Sequence, residues 1–141
     1  MELTKDELKQ IYQETKTIAV VGASTDESKP SHRIPRYLQS QGFKIIPVSP
    51  KGGECLGEKV YPSLSEIPEP VDVVDVFRPS DETPQIARDA VAIGAKVLWL
   101  QSGIANDEAE GVAEAAGLKV VMDRCMGATH RQLGLGPGPD A

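Results

Sequence analysis

Thr17-Ile-Ala-Val-Val-Gly-Ala-Ser24 is an unbroken apolar run that stops at a glycine followed by two small residues. A run apolar on both faces is what a strand in a covered parallel sheet requires. The glycine and its small neighbours then predict a tight turn toward a helix, with backbone N–H groups left open to an anion. Working outward, the stretches 43–48, 71–77, 96–100 and 118–122 have the same short, β-branched character and are predicted strands. Helices are predicted between them over 35–40, 64–67, 83–93 and 107–116. The last two have a prolyl or acidic first turn and stop at Gly94 and Gly117. A further helix is predicted over 4–12, where Thr4 and Glu7 have the spacing of a capping box.

Alternating strands and helices with short connections imply right-handed crossovers. The expectation is an α/β fold, a Rossmann-like doubly wound parallel sheet in a single domain spanning 1–133. Its central strand order is expected to be 3-2-1-4-5, with a short extra strand near Val60. Residues 134–141 are too rich in glycine and proline to pack and are expected to form a flexible tail.

Composition narrows the function classes. With 141 residues and 40% apolar content the chain suits one ordinary core, leaving no room for a second catalytic domain. The formal charge of −6 disfavours nucleic acid and anionic membranes as partners, so an anionic ligand has to be held by local groups. No apolar run approaches the roughly 20 residues of a membrane helix, and the polar first residues do not form a signal sequence; a cytoplasmic protein is expected. Cys55 and Cys125 have no close Cys or His spacing, so neither a disulfide framework nor a metal site is expected.

Ligands of an open α/β sheet settle beyond the carboxyl ends of its strands. At the first end stand Gly22, Ala23 and Ser24, a phosphate-turn candidate that also reads as a plain strand-to-helix turn. Lys29, Ser31, His32, Arg33 and Arg36 follow, a cationic and hydroxyl-bearing patch in an acidic chain. The second strand ends in Val48-Ser-Pro50-Lys51, where a site for NAD would place a carboxylate on the adenosine ribose. A lysine there attracts a ribose phosphate instead, which leaves NADP or a phosphorylated adenosine. Phe77 and Arg78, then Gln101 and Gly103, occupy the third and fourth ends; Ser80 and Asn106 read as helix caps. Cys125 and His130 offer a nucleophile and base only if folding brings them together.

In combination, Ile18-Ala-Val-Val-Gly-Ala-Ser24, Ile34-Pro-Arg-Tyr-Leu38, Ile46-Pro-Val-Ser-Pro50 and Val71-Asp-Val-Val-Asp-Val-Phe-Arg78 resemble the stand-alone CoA-binding domain proteins. The likeness continues through Gly94–Ile104 and Ala116–Cys125. These proteins are similar in turn to the CoA-binding domain of the succinyl-CoA synthetase alpha subunit. The resemblance implies that Gly22, Ala23 and Ser24 hold phosphate and that Pro50 and Lys51 meet the phosphorylated adenosine. Phe77, Arg78, Gln101 and Gly103 would then complete the rim; the match is weaker over 26–33, so Ser31 and Arg33 are expected as further phosphate contacts from the cationic patch alone. The synthetase's phosphorylated histidine belongs to a further domain, and neither His32 nor His130 stands in that context, so its reaction does not carry over. The expected function is binding of coenzyme A or an acyl-CoA by a carrier, sensor or accessory module, with no catalytic residue and no protein partner assigned. The alternatives are an NADP-dependent enzyme, a Cys125-based acyl-CoA enzyme, and an interaction protein with a vestigial site. On this reading Gly22→Val should abolish cofactor binding and spare the fold.

Overall fold

The computed structural model describes residues 2–136; the end of the expected tail, 137–141, lies outside the described residues. The predicted capping box forms at the start of α1 (Lys5–Glu14), where Glu7 N–H donates to the Thr4 hydroxyl and Thr4 N–H to the Glu7 carboxylate. Five parallel strands follow: β1 (Thr17–Val21), β2 (Lys44–Val48), β5 (Val73–Val76), β6 (Val97–Leu100) and β7 (Lys119–Val121). Between β2 and β5 the chain makes a small antiparallel hairpin of β3 (Glu54–Cys55) and β4 (Glu58–Lys59), then a 3₁₀ turn at Leu64–Glu66. The helices α2 (Pro30–Ser40), α3 (Thr83–Ala92), α4 (Asp107–Ala115) and α5 (Met126–Leu133) complete the fold.

The α/β, Rossmann-like architecture is as expected; the strand order is not. The five strands lie as β2-β1-β5-β6-β7, which is 2-1-3-4-5 in chain order rather than 3-2-1-4-5. The outer side of β2 is taken by Tyr61, which bridges Val48 in parallel, so the chain's next long strand must cross to the free side of β1. Near Val60, where a short extra strand is expected, the chain forms β4 (Glu58–Lys59) and then the single bridge at Tyr61, and this bridge holds the third position expected for β5.

Both faces of the sheet are covered. Ala19, Val74, Val76, Leu98 and Leu100 pack against Ile86, Ala87 and Ala90 of α3 and Ala109 and Ala113 of α4. On the other face Ile18, Val20, Val73, Trp99 and Val121 pack with Leu8, Ile11 and Tyr12 of α1, Leu38 of α2 and Met126 of α5. The connection order fixes this division, because crossovers from β1 and from β5 leave a shared central pair in opposite directions.

Helix α2 starts at Pro30, a turn before the expected start at Pro35. Proline suits a first helical position, which misplaced the boundary. Here Pro35 sits inside the helix. Its missing N–H leaves the Ser31 carbonyl without the i→i+4 bond, and Ser24 N–H of the β1–α2 loop donates to that carbonyl at 3.3 Å. Ser80 differs too: its hydroxyl accepts from Ala105 N–H at 3.1 Å instead of capping a helix. Asn106 caps α4 as expected, accepting from Ala109 N–H at 3.0 Å.

Candidate functional site

A crevice of about 570 Å³ opens beyond the carboxyl ends of β1, β2 and β5. Gly22, Ala23, Ser24, Ser31, Pro50, Lys51, Phe77 and Arg78 all line it. The volume falls within the ~300–1,000 Å³ common for small-molecule sites.

The turn after β1 is held from several sides. Gly22 N–H donates to Val48 O at 3.0 Å, continuing the β1–β2 ladder, and Ser24 N–H is taken by Ser31 O. The Ser24 carbonyl meets the buried His32 ring through Nδ1 at 2.8 Å and the Cys55 thiol at 3.4 Å. That contact places the proton on His32 Nδ1, since a carbonyl can only accept. Among the described residues, Ala23 and Thr25 N–H donate to no protein acceptor, and both residues face the crevice. The open donors of the turn are therefore those of Ala23 and Thr25, while the glycine has another task. Gly22 has φ +88°, and a Cβ there would lie 2.8 Å from Phe77 O and 2.9 Å from Arg78 Cδ. The β1 and β5 loops meet too closely at this point for any side chain.

Charge is distributed unevenly around the crevice. Lys29 and Lys51 make no ion pair among the described residues, and both line it. Lys51 stands on a turn where its N–H and that of Gly52 approach the Ser49 hydroxyl and carbonyl, at 3.4 and 3.1 Å. Arg78 is gripped by Glu82 through two hydrogen bonds of 3.1 and 2.8 Å, which raises its pKa and compensates its charge. Asp89 stands with Glu82 on the α3 side, so the free positive charge lies on the β1–β2 side. Asp26, just outside, has its carboxyl pKa lowered by hydrogen bonds from the Ser28 side chain and N–H, with the Lys29 charge adding to the effect.

The remaining named residues lie apart from this lining. Arg33 faces a second groove, between α2 and α5. Gln101 is buried, its Nε2 donating to Asp75 Oδ1 at 2.5 Å and its Oε1 accepting from Met126 N–H at 3.3 Å. It ties the start of α5 to the sheet. Gly103 N–H donates to Asp123 Oδ1 at 2.6 Å, with φ +81°. Cys125 and His130 are not joined by a hydrogen bond: Cys125 Sγ accepts from Ala128 N–H at 3.4 Å, while His130 Nδ1 pairs with the Tyr37 hydroxyl at 2.8 Å. Burial lowers the His130 pKa and favours its neutral form. Lys29 also lines the crevice, as do Thr25, Cys55 and Asp89, which were not named for it. Lys29 was legible in the cationic patch, whereas Cys55 arrives through the β3–β4 hairpin, which leaves no sequence signal.

The crevice has a turn with open N–H donors and two lysines that make no ion pair among the described residues, a donor set suited to phosphates. The chain is similar over most of its length to known proteins. It is 41% identical over 127 residues to the uncharacterized protein YneT of Bacillus subtilis, covering 90% of this chain and 94% of that one. It is 36% identical over 103 residues to acetate–CoA ligase [ADP-forming] I subunit alpha of Pyrococcus furiosus, covering 68% of this chain but only 22% of that subunit. Among solved structures, cell-free ID.343 from Thermus thermophilus superposes with a TM-score of 0.89 at 41% identity, covering 93% of this chain and 99% of the other. Residues 16–131 match the CoA binding domain, a span that contains the whole sheet and every crevice residue named above, and the chain belongs to that family.

Proposed function

We propose that the crevice binds coenzyme A and that the protein acts as a CoA-binding carrier, sensor or accessory module. The observation that carries this reading is the pairing of free Lys29 and Lys51 with the open N–H groups of Ala23 and Thr25 on one side of one crevice. In the bound arrangement the N–H groups meet the diphosphate and Lys51 meets the phosphate on the adenosine ribose. Phe77, half-buried at the mouth, supplies an apolar face for the base. An NAD site would require a carboxylate where Lys51 stands.

The test exploits the ribose 3′-phosphate that CoA carries and dephospho-CoA lacks. A charge-assisted hydrogen bond contributes about 1.5–3 kcal/mol before solvent screening, or roughly tenfold to a hundredfold in affinity. Titration calorimetry of both ligands into the parent and Lys51→Ala should show CoA weakened about tenfold or more and dephospho-CoA little changed. Equal losses for the two ligands would transfer the phosphate contact to Lys29. Tighter binding of NAD than of CoA would overturn the proposal.

A further inference from the structure

A second concave site lies on the face of the sheet covered by α1, α2 and α5, with a lining that shares no residue with the crevice. It is a groove of about 680 Å³ between α2 and α5, lined by Arg33 and Arg36 from α2 and Arg131 from α5. Among the described residues no lining residue is acidic, although the chain carries 21 Asp and Glu against 15 Lys and Arg. Arg33 and Arg131 form no ion pair among the described residues, and Arg36 has only a loose one with Glu27 at 3.8 Å, both side chains being largely exposed. Arg33 and Arg131 thus share the groove with no carboxylate partner among the described residues, an arrangement that a bound oxyanion completes.

The groove is also built in advance of any ligand. The Arg131 guanidinium lies over the Tyr37 ring at 4.2 Å, and the Tyr37 hydroxyl is held by buried His130. The floor is closed by the approach of the two helices: a Cβ on Gly127 would lie 3.3 Å from Ile34 and 3.4 Å from Tyr37. Pre-positioning of Arg131 lowers the side-chain entropy lost on binding. A planar guanidinium fork matches the oxygens of carboxylate or phosphate in pairs. The site's concavity and the chain's net negative charge favour a compact ligand over an extended polyanion such as nucleic acid.

We propose that the α2–α5 groove is a second ligand site, separate from the crevice, that takes a small molecule bearing two or more phosphate or carboxylate groups. Arg33 and Arg131 grip its oxygens, with Arg36 at the rim.

The test titrates inorganic pyrophosphate and, separately, tricarballylate into the full chain at fixed ionic strength, followed by amide chemical shifts. Lys29→Ala/Lys51→Ala removes the crevice cations, and Arg33→Gln/Arg131→Gln removes those of the groove. The expected result is saturable binding of at least one probe that survives the lysine changes and weakens at least tenfold with the arginine changes, with shifts centred on 125–131. The probe that binds more tightly identifies phosphate or carboxylate as the preferred group. Because Arg131→Gln also removes the contact with Tyr37, Arg33→Gln/Arg36→Gln serves as a second variant and should weaken binding in the same direction. Failure of both probes to saturate, loss of binding with the lysine changes alone, or unaltered binding in both arginine variants would overturn the proposal. None of these outcomes depends on whether CoA occupies the crevice.

Discussion

At Gly22 the backbone has φ +88°, and the space a side chain would need is already filled by the Phe77 carbonyl. The expectation that a larger residue would only block the ligand therefore gives way to a structural one. Gly22→Ala combines left-handed strain with a 2.8 Å backbone contact, so it should destabilise the fold by on the order of 2–4 kcal/mol, read by denaturant titration. Gly22→Val should be worse. A fully stable Gly22→Ala protein would mean that the β1 and β5 loops separate without cost. Lys29 and Lys51 contrast with this glycine: both are exposed and make no ion pair among the described residues, and their removal should alter ligand affinity while leaving stability within about 0.5 kcal/mol.

Helix α2 acts as a unit through an internal proline. Because Pro35 has no N–H, Ser31 O is left to receive the Ser24 N–H, and the turn after β1 is latched to the helix. Pro35→Ala supplies a competing donor within the helix. It should leave the helix intact or strengthen it, yet weaken CoA binding by on the order of threefold to tenfold as the turn loses its latch. Calorimetry alongside thermal melts separates the two effects, and unchanged affinity would show that His32 and Cys55 hold the turn unaided. Helix α5 is anchored by a different device: the Tyr12 hydroxyl donates to Met126 O at 2.6 Å in the core. Tyr12→Phe keeps the ring packed against Trp99 and His130 and removes only that bond, for a loss of about 1–2 kcal/mol by denaturant titration.

Across the whole molecule one buried carboxyl sets a pH dependence. Asp75 lies at the centre of the sheet, between Val20 of β1 and Trp99 of β6. Burial pushes its pKa from 3.8 up to about 7, with the Gln101 hydrogen bond acting in the opposite direction, and Oδ2 has no partner among the described residues. A raised folded pKa means that the native state holds the proton more tightly than the unfolded chain. This contribution to stability is therefore fully present below pH 3.8 and is lost as the pH rises to about 7, amounting to as much as about 4 kcal/mol. Buried His130 contributes the opposite slope, so the parent must be compared with a variant at each pH. Asp75→Asn should gain stability relative to the parent as the pH rises from 4 to 7 and hold a constant difference above that. A constant difference throughout would mean that Asp75 titrates normally.

Strand positions, the capping box at Thr4, the cap at Asn106 and the stops at Gly94 and Gly117 were legible in the chain because each depends on neighbours a few residues away. Apolar runs and alternation were enough for the fold class, since a strand covered on both faces admits few other residues. The order of strands was not legible in the same way: it depends on the Val48–Tyr61 bridge, a long-range contact made by a segment too short to register as a strand. The crevice divides along the same line. Gly22, Lys51 and Arg78 could be placed at strand ends from sequence, but only folding binds Arg78 to Glu82 and Gly22 N–H to Val48, leaving Lys51 free beside Ala23 and Thr25. Gln101 shows the limit most plainly: its position at the end of β6 suited a rim residue, yet a buried Asp75 requires a partner, and packing turns the amide inward to supply one. Local chemistry selects the elements, whereas the pairing of polar groups is settled by packing, because desolvation penalises a buried donor or acceptor that has no partner, and the partner is often brought from far along the chain.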